Sequence, residues 1–141
     1  MLPGKLSEFL GGVATIDPQV VVATAVYSDY IDMSKFEQVI CVFQTGVTVA
    51  YAVQFSVYES TNTSAGSRQA LIAATALTQS NGVVIINVRR EQLSAGFRYL
   101  QMYALTNASQ TGSCSAVALA WGSYQPTVND DLTDVVEIKE A

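Results

Sequence analysis

The acidic residues near the C-terminus form the one dense group in this sequence that could do acid–base chemistry. Asp130, Asp131 and Asp134 lie within a single short segment. A glycosidase needs two carboxyl groups held at a fixed separation by a rigid scaffold. These three instead follow Pro126 in a polar segment, and they lack the central glycine and distal glutamate of a calcium-binding loop. The sequence therefore predicts neither a catalytic carboxylate pair nor a calcium site here.

Other catalytic groups lack the partners that would activate them. The sequence contains no histidine, so its serines have no imidazole base and the commonest metal ligand is missing. Lys5, Lys35 and Lys139 lie in terminal segments or a turn, outside any apolar run that would lower a lysine pKa. The glycines form no phosphate-binding motif. We therefore expect no enzymatic activity, no metal and no cofactor.

The two cysteines, Cys41 and Cys114, both lie inside apolar runs. Small buried thiols are common in such runs, and a zinc site would need further ligands nearby. We predict a pair of buried free thiols. A disulfide between them stays open at this point, because it depends on whether their strands are neighbours.

Tyrosines are the remaining residues with binding chemistry. Tyr51, Tyr58, Tyr99, Tyr103 and Tyr124 fall on predicted strands. Tyrosines on one face of a sheet would suit a carbohydrate. Tyrosine is also favoured in packing and in protein interfaces because it is amphipathic, so the sequence leaves both interpretations open.

Composition describes the scaffold that must position these residues. The chain has 141 residues, of which 50% are hydrophobic and 13% are charged, with a net charge of -5. This is enough for one domain with a sizeable core, and the low charge suggests that a partner covers part of the surface. The negative charge and the absence of a basic stripe argue against nucleic acid binding. No apolar run is long enough to span a membrane and no signal peptide is apparent, so we expect synthesis in the cytoplasm.

Alternation of apolar and polar residues predicts strands along most of the chain. It is clearest at 50–60, where Val53, Phe55 and Val57 share the face expected to be buried. The run 68–78 would also permit a helix, but its place between two strands favours a strand. The run at 83–88 is unbroken, and we expect it to be buried on both faces. The predicted strands are 19–25, 36–45, 50–60, 68–78, 83–88, 97–104 and 113–124.

The last predicted strand divides its side chains by size. Val117, Leu119 and Trp121 share one face, whereas the other face carries Cys114, alanines and Gly122. Small side chains let another sheet approach closely, and we favour a core between two sheets over a contact between subunits. The sequence thus predicts an all-β fold, an antiparallel β-sandwich of jelly-roll or Ig-like type with extended N- and C-terminal arms.

The predicted organisation has three parts. Residues 1–18 form an N-terminal arm, residues 19–124 the β-sandwich domain, and residues 125–141 an acidic C-terminal extension. An N-terminal edge segment folded onto its own domain, and a loose C-terminal tail, are the alternatives. Apolar side chains in both arms are the candidate interface residues, because a purely solvating tail would not need them. These are Leu6, Phe9, Leu10, Leu132, Val135, Val136 and Ile138.

Three short segments resemble the head decoration, or cement, proteins of tailed bacteriophages. They are Ile31-Asp32 in a turn before a strand, QFSVYES at 54–60 before a polar loop, and Phe97-Arg98-Tyr99-Leu100 before the last strand. The resemblance spans residues 20–124 in order. It implies a β-sandwich that binds the outer surface of an icosahedral head, often as a trimer, and stabilises the shell. The acidic extension after Pro126 departs from the family's pattern.

The resemblance implies a structural virion protein on the capsid exterior, with the major capsid protein and further copies of the chain as partners. We expect a homo-oligomer, with a trimer favoured, and no contact with nucleic acid or membrane. Two alternatives belong to other classes. One is a major capsid or tail-tube subunit that assembles by itself, and the other is a carbohydrate-binding β-sandwich module.

Overall fold

The computed structural model describes residues 11–47, 53–106 and 111–122, and nearly all of its ordered structure is β. In chain order the strands are β1 (Gly11–Val22), β2 (Ala25–Tyr27), β3 (Ile31–Asp32), β4 (Gln38–Thr45), β5 (Val53–Ser60), β6 (Arg68–Leu77), β7 (Val83–Arg89), β8 (Tyr99–Thr106) and β9 (Thr111–Trp121). Among the described residues, two short 3₁₀ helices occur: Ala65–Ser67 precedes β6 and Arg90–Gln92 follows β7.

The strands form two antiparallel sheets. Sheet A has the order β1-β9-β4-β7, and sheet B has the order β2-β8-β5-β6, with β3 also pairing with β8. Because β2 and β3 pair with successive parts of the same strand, they act as one interrupted strand, which gives four strands a sheet. The chain crosses between the sheets at most connections, and this winding is that of a jelly roll. The predicted antiparallel β-sandwich is confirmed, and of the two types expected the strand order selects the jelly roll.

The core lies between the inner faces of the two sheets. Val53, Phe55 and Val57 of β5 are fully buried, as their alternation predicts, and Phe43 of β4 meets Phe55 with ring centroids 4.9 Å apart. Burial of each such side chain contributes about 1.5–3 kcal/mol before chain entropy is subtracted. The small face of β9 also faces inward, with Cys114, Ala116, Ala118 and Ala120 buried, so the prediction of a core between sheets is confirmed.

Strand boundaries differ from the predicted ones mainly at the N-terminus. β1 begins at Gly11 and pairs along β9, so residues 11–18, assigned from the sequence to the N-terminal arm, belong to an edge strand. Asp17 and Pro18 fall in an irregularity between Ile16 and Gln19, where the register shifts. A bulge accommodates proline in an edge strand, so Asp17 and Pro18 lie within β1 without ending it.

The prediction for 83–88 is wrong on one face. Val84, Ile86 and Val88 point inward, but Val83 and Ile85 are 53% and 62% exposed. An unbroken run of β-branched residues predicts a strand, but it does not indicate whether another layer of the protein covers the outer face of that strand. By contrast, the strand chosen for 68–78 is confirmed as β6.

Candidate interaction surfaces

The outer face of sheet A carries a continuous row of apolar side chains. Val42 of β4 lies directly between Val117 of β9 and Ile85 of β7, and Ile40 lies beside Leu119 in the next row. These residues point away from the core because their neighbours along each strand point into it. With Val83 and Trp121 they form what we call the apolar face: Ile40, Val42, Val83, Ile85, Val117, Leu119 and Trp121.

Several side chains of the apolar face are strongly exposed for their size. Ile85 is 62% exposed, Trp121 is 41% exposed and Val117 is 36% exposed. Polar residues such as Gln44 and Asn87 surround them, and Arg89 is the one charged residue among the outward positions of β4, β7 and β9. An apolar centre with a polar rim is the usual arrangement of a protein interface, whereas single scattered apolar residues are normal on any protein surface.

An open groove of about 680 Å³ lies at one end of the apolar face. Trp121, Gln38 and Arg89 line it together with residues of the adjoining loops, Glu37, Arg90 and Glu91. Arg89 and Glu91 form an ion pair with an N–O distance of 3.6 Å, and both side chains are largely exposed. Such a pair adds little stability, so both charges can exchange partners without cost to the fold.

The outer face of sheet B is built differently, around a tyrosine cluster formed by Tyr27, Tyr58 and Tyr103. The ring of Tyr103 lies between the other two, with centroid distances of 5.1 Å to Tyr27 and 5.0 Å to Tyr58. The guanidinium carbon of Arg68 lies 3.9 Å from the centre of the Tyr27 ring, a cation–π contact. Arg68 also donates a hydrogen bond from Nη1 to Oε1 of Gln101 at 3.1 Å.

The environment of the tyrosine cluster changes the acidity of its central member. Partial burial raises the pKa of Tyr103, and the neighbouring Tyr58 and Tyr27 add to the increase. The phenol therefore stays protonated at neutral pH. The cluster can donate and accept hydrogen bonds and present ring edges, but it has no group suited to proton abstraction.

Two of the five tyrosines predicted as a platform, Tyr58 and Tyr103, come together in this cluster. Tyr99 lies elsewhere, with its ring 6.3 Å from that of Tyr30, and Tyr51 and Tyr124 lie outside the described residues. Tyr27 was not predicted as a member of the cluster, because β2 is only three residues long and shows no usable alternation. Arg68 was not predicted either, because its contact with Tyr27 depends on the pairing of strands that are distant in the sequence.

The rim of sheet B is fastened by an ion pair between Asp32 of β3 and Arg98. Two hydrogen bonds join them, Nε to Oδ1 at 2.7 Å and Nη2 to Oδ2 at 2.5 Å. Ser34 donates two further hydrogen bonds to Oδ1. The hydrogen bond from Arg98 is the main reason that the pKa of Asp32 falls from 3.8 to about 2, so this carboxylate is charged at all ordinary pH values.

A buried carboxylate, Glu59, fastens the loop after β7 to sheet B. Glu59 is 1% exposed and accepts hydrogen bonds from the backbone amide and hydroxyl of Ser94 and from the amide group of Gln69. Burial alone would raise its pKa, but these hydrogen bonds outweigh burial and lower it. Its oxygen atoms are occupied by structural partners, which suits a loop anchor.

The cysteines are free and buried, as predicted. Cys41 lies opposite Ala118, while Cys114 lies opposite Thr45, so the two thiols are offset by four residues along neighbouring strands, about 13 Å. This is too far for a disulfide. Burial raises the pKa of Cys41 to about 12 and that of Cys114 to about 11, so neither is a reactive thiolate.

No set of three or more Cys, Asp or Glu side chains is arranged to hold a metal ion in the described part of the chain. Within residues 11–47, 53–106 and 111–122, no helix is long and apolar enough to cross a membrane. All seven candidate interface residues predicted from the sequence lie outside the described residues: Leu6, Phe9, Leu10, Leu132, Val135, Val136 and Ile138. The acidic group Asp130, Asp131 and Asp134 lies outside them too.

Some solved structures align with most of this chain at low similarity. A subunit of Bacillus endospore appendages, described as a family of disulfide-linked pili, aligns over 86% of this chain and 99% of its own at 16% identity, with a TM-score of 0.44. A chain of infectious bursal disease virus, Gx strain, aligns over 85% of this chain and 32% of its own at 16% identity, with a TM-score of 0.38. No protein-family model matches the sequence, and no curated protein matches it.

Proposed function

We propose that this chain is a non-catalytic structural subunit that works by docking the apolar face of sheet A onto another protein surface in a large assembly. The observation that carries this proposal is the exposure of Val83, Ile85 and Trp121 on one sheet face, where Arg89 is the one charged residue among the outward positions of β4, β7 and β9. Side chains this size remain in water at a free-energy cost unless a partner covers them.

The free energy gained by covering the apolar face fits a subunit that is present in many copies. Covering a half-exposed aliphatic side chain recovers about 1 kcal/mol, so a handful of them gives a modest interface. In a symmetric assembly each subunit makes the same contact repeatedly, and modest contacts then suffice for stable attachment.

The state of the titratable groups supports a role without turnover. Asp32 and Glu59 are occupied by hydrogen bonds that hold loops to sheet B, and burial keeps both thiols protonated. A catalytic group needs a free reactive atom beside a substrate cavity. The groove next to Trp121 is open and is lined by an exposed ion pair rather than by such a group.

In its finer form the proposal is that the assembly is a tailed-bacteriophage head. The chain would bind the exterior of the icosahedral shell as a decoration protein, as a homotrimer in contact with the major capsid protein. The sequence resemblance over residues 20–124 supports this form. Leu6, Phe9 and Leu10 of the N-terminal segment are the further contacts proposed there, since they are apolar and directly precede β1.

The proposal is tested first on the purified protein and then on shells. Light scattering over a range of concentrations is expected to give a mass above that of one chain, with a trimer as the expected species. Electron microscopy of heads incubated with the protein is expected to show regular added density on the outer surface. A monomeric mass at high concentration together with bare heads would overturn the proposal, while particles or tubes formed by the protein alone would favour a self-assembling shell or tube subunit.

Carbohydrate binding is a second candidate, favoured by the tyrosine cluster. Tyr27, Tyr58 and Tyr103 meet at one exposed site with the guanidinium of Arg68 beside them, and aromatic rings with a polar group are what sugars bind. The rings are tilted by 56–57° at the Tyr103 contacts, which presents edges rather than a flat platform. A glycan array decides, with the Tyr103→Ala variant as control: binding that the variant abolishes would support this candidate.

A further inference from the structure

Four long stretches of the sequence contain no charged residue: 18–28, 38–58, 69–88 and 99–129. Each stretch includes one of the connections that follow β1, β4, β6 and β8. The strand register places the last residues of these four strands at one end of the sandwich: Val22, Thr45, Leu77 and Thr106. There the two sheets are joined by a hydrogen bond of 3.2 Å from Thr106 Oγ1 to the carbonyl of Val21. The chain therefore visits this end four times without bringing a charge to it.

The opposite end carries most of the charged residues of the described chain. They lie in or next to the connections after β3, β5 and β7: Asp32, Lys35, Glu37, Glu59, Arg68, Arg89, Arg90, Glu91 and Arg98. We call the described residues 19–25, 44–47, 77–82 and 111–115 the uncharged end. A charged group loses hydration when a partner covers it, so the uncharged end is the end that a partner can cover at the lower free-energy cost.

The uncharged end exposes apolar side chains on an ordered backbone. Val47 is 72% exposed, Val20 is 62% exposed and Val22 is 51% exposed. The amide of Gly46 donates a hydrogen bond to the carbonyl of Ser113 at 2.9 Å, and Ser113 Oγ donates to the carbonyl of Val47 at 3.3 Å. A Cβ at residue 46 would displace the Ser113 hydroxyl. Because the backbone that presents Val47 is already held in place, binding through this residue orders little further structure.

A groove of about 570 Å³ lies next to Val47, on the outer face of sheet A at the uncharged end. β1 contributes Pro18 and Val20 to its lining, while β4 and β9 contribute Gln44 and Ser115, which lie opposite each other. None of the described residues that line the groove is charged. The groove thus combines apolar contacts for an aliphatic side chain with amide and hydroxyl groups around it.

The polar groups of this end favour a second copy of the same surface as the partner. The side chains of Gln44 and Ser115 have no hydrogen-bond partner among the described residues. Amides and hydroxyls both donate and accept hydrogen bonds, so two copies of such a surface can bond to each other. A charged surface would instead require the opposite charge on a different partner. A membrane fits less well, since the described residues of this end include no Lys, Arg, Trp or Phe.

We propose that the uncharged end is a contact between copies of this chain, with Val47 of one copy seated in the groove of the next. Because Val47 and the groove are different parts of the surface, the contact can repeat around a ring such as the proposed trimer. The proposal does not depend on the proposed function. A single chain can still dock its apolar face on a head, so the two proposals can fail separately.

Association of the purified full-length protein tests the proposal. Val47→Glu is expected to raise the apparent dissociation constant of the oligomer at least about 30-fold, because the carboxylate would lose its hydration in the groove. Val20→Glu changes the groove side of the contact and should act in the same direction. Thr61→Glu adds the same charge in the exposed loop at the opposite end and should leave association unchanged. Sedimentation velocity measures all three variants, and circular dichroism checks their fold.

Two outcomes would overturn the proposal. One is equal association of the parent protein, Val47→Glu and Val20→Glu, or equal weakening by these variants and Thr61→Glu. The other is a parent protein that stays monomeric at high concentration, which would leave the uncharged end to a different protein. Binding of Val47→Glu chains to heads is measured separately, because it reports on the apolar face.

Cross-linking tests the pairing of Val47 with the groove. Chains carrying Val47→Cys are co-expressed with chains carrying Gln19→Cys, a residue that lines the groove, and a short bismaleimide is added. Each chain has one new thiol and the native thiols are buried, so a link between positions 47 and 19 joins two chains. Val47→Cys co-expressed with Thr61→Cys gives the background. Links above this background support the proposal, whereas an oligomer that gives only background links would overturn it.

Discussion

Both outer faces of the sandwich carry large apolar or aromatic side chains, but only one of them covers these side chains within the chain. On sheet B, Tyr27, Tyr58 and Tyr103 contact one another, and Arg68 covers part of the cluster. On sheet A, Ile85 and Trp121 have no comparable cover among the described residues. A face whose large side chains contact one another contributes to the stability of the single chain. A face that leaves them in water does not, and burial of these side chains against a partner favours association. Our proposal is therefore that the outer face of sheet B contributes to folding stability and that the outer face of sheet A serves assembly.

The largest expected effect comes from placing charge on the apolar face. The double variant Ile85→Glu, Val117→Glu should weaken self-association or shell binding about 100-fold or more, because desolvating two carboxylates opposes docking. Its free energy of unfolding should change by less than about 1 kcal/mol, since both positions are exposed. Equilibrium binding and denaturant titration measure the two effects. Thr61→Glu, in the exposed loop after β5, is the control, and equal weakening by both variants would contradict the assignment.

The second prediction concerns the contribution of the tyrosine cluster on sheet B to folding stability. Tyr103→Ala should lower the free energy of unfolding by about 2–3 kcal/mol, because it removes two ring contacts together with buried apolar area. Val117→Ala on the apolar face should cost less than about 1 kcal/mol. Urea denaturation measures both. Similar losses in the two variants would show that the faces do not divide stability and assembly between them.

A smaller effect depends on pH. Because folding lowers the pKa of Asp32 from 3.8 to about 2, its contribution to stability is fully present above pH 3.8 and is lost as the pH falls through 2. With solvent screening at this partly exposed pair, the contribution is of order 1 kcal/mol. Asp32→Asn should therefore flatten the loss of stability between pH 4 and pH 2. A parallel pH profile in the variant would refute this.

The smallest effect concerns Arg68, whose guanidinium group covers part of the tyrosine cluster. Arg68→Lys keeps the charge but loses the planar contact with Tyr27 and the geometry of the hydrogen bond to Gln101. It should lower the free energy of unfolding by about 0.5–1 kcal/mol. Arg90→Lys, at the rim of sheet A, is the matched control and should have almost no effect. Thermal unfolding of the two variants side by side gives the comparison.

Much of the fold follows from local patterns in the sequence. The alternation at 53–57 correctly assigns the buried face of β5, and the division of β9 into small and large side chains correctly assigns its two faces. The free state of Cys41 and Cys114 was also predicted from their apolar surroundings. These features depend on neighbours in the sequence, where a period of two residues is sufficient information.

The candidate surfaces follow from the sequence only in part. The run at 83–88 was expected to be buried on both faces, and the exposure of Ile85 corrects this. Two members of the tyrosine cluster were anticipated, but Tyr27 and Arg68 join it only because β2 and β6 lie on either side of β8 and β5. The composition does carry one signal of the exposed apolar surface: residues 69–88 contain no charge. They supply all but the first residue of β6 and all but the last residue of β7, the strands that end sheet B and sheet A.

The sequence by itself determined that this chain forms strands, which side of most strands is apolar, and that its thiols are buried. Only the tertiary structure decided that the strands wind as a jelly roll, that β7 ends a sheet, and that one apolar surface faces solvent. The reason is that side-chain alternation is a local property of each strand. Pairing and layering bring together residues as distant as Tyr27 and Tyr103, and no local period encodes which partners they meet.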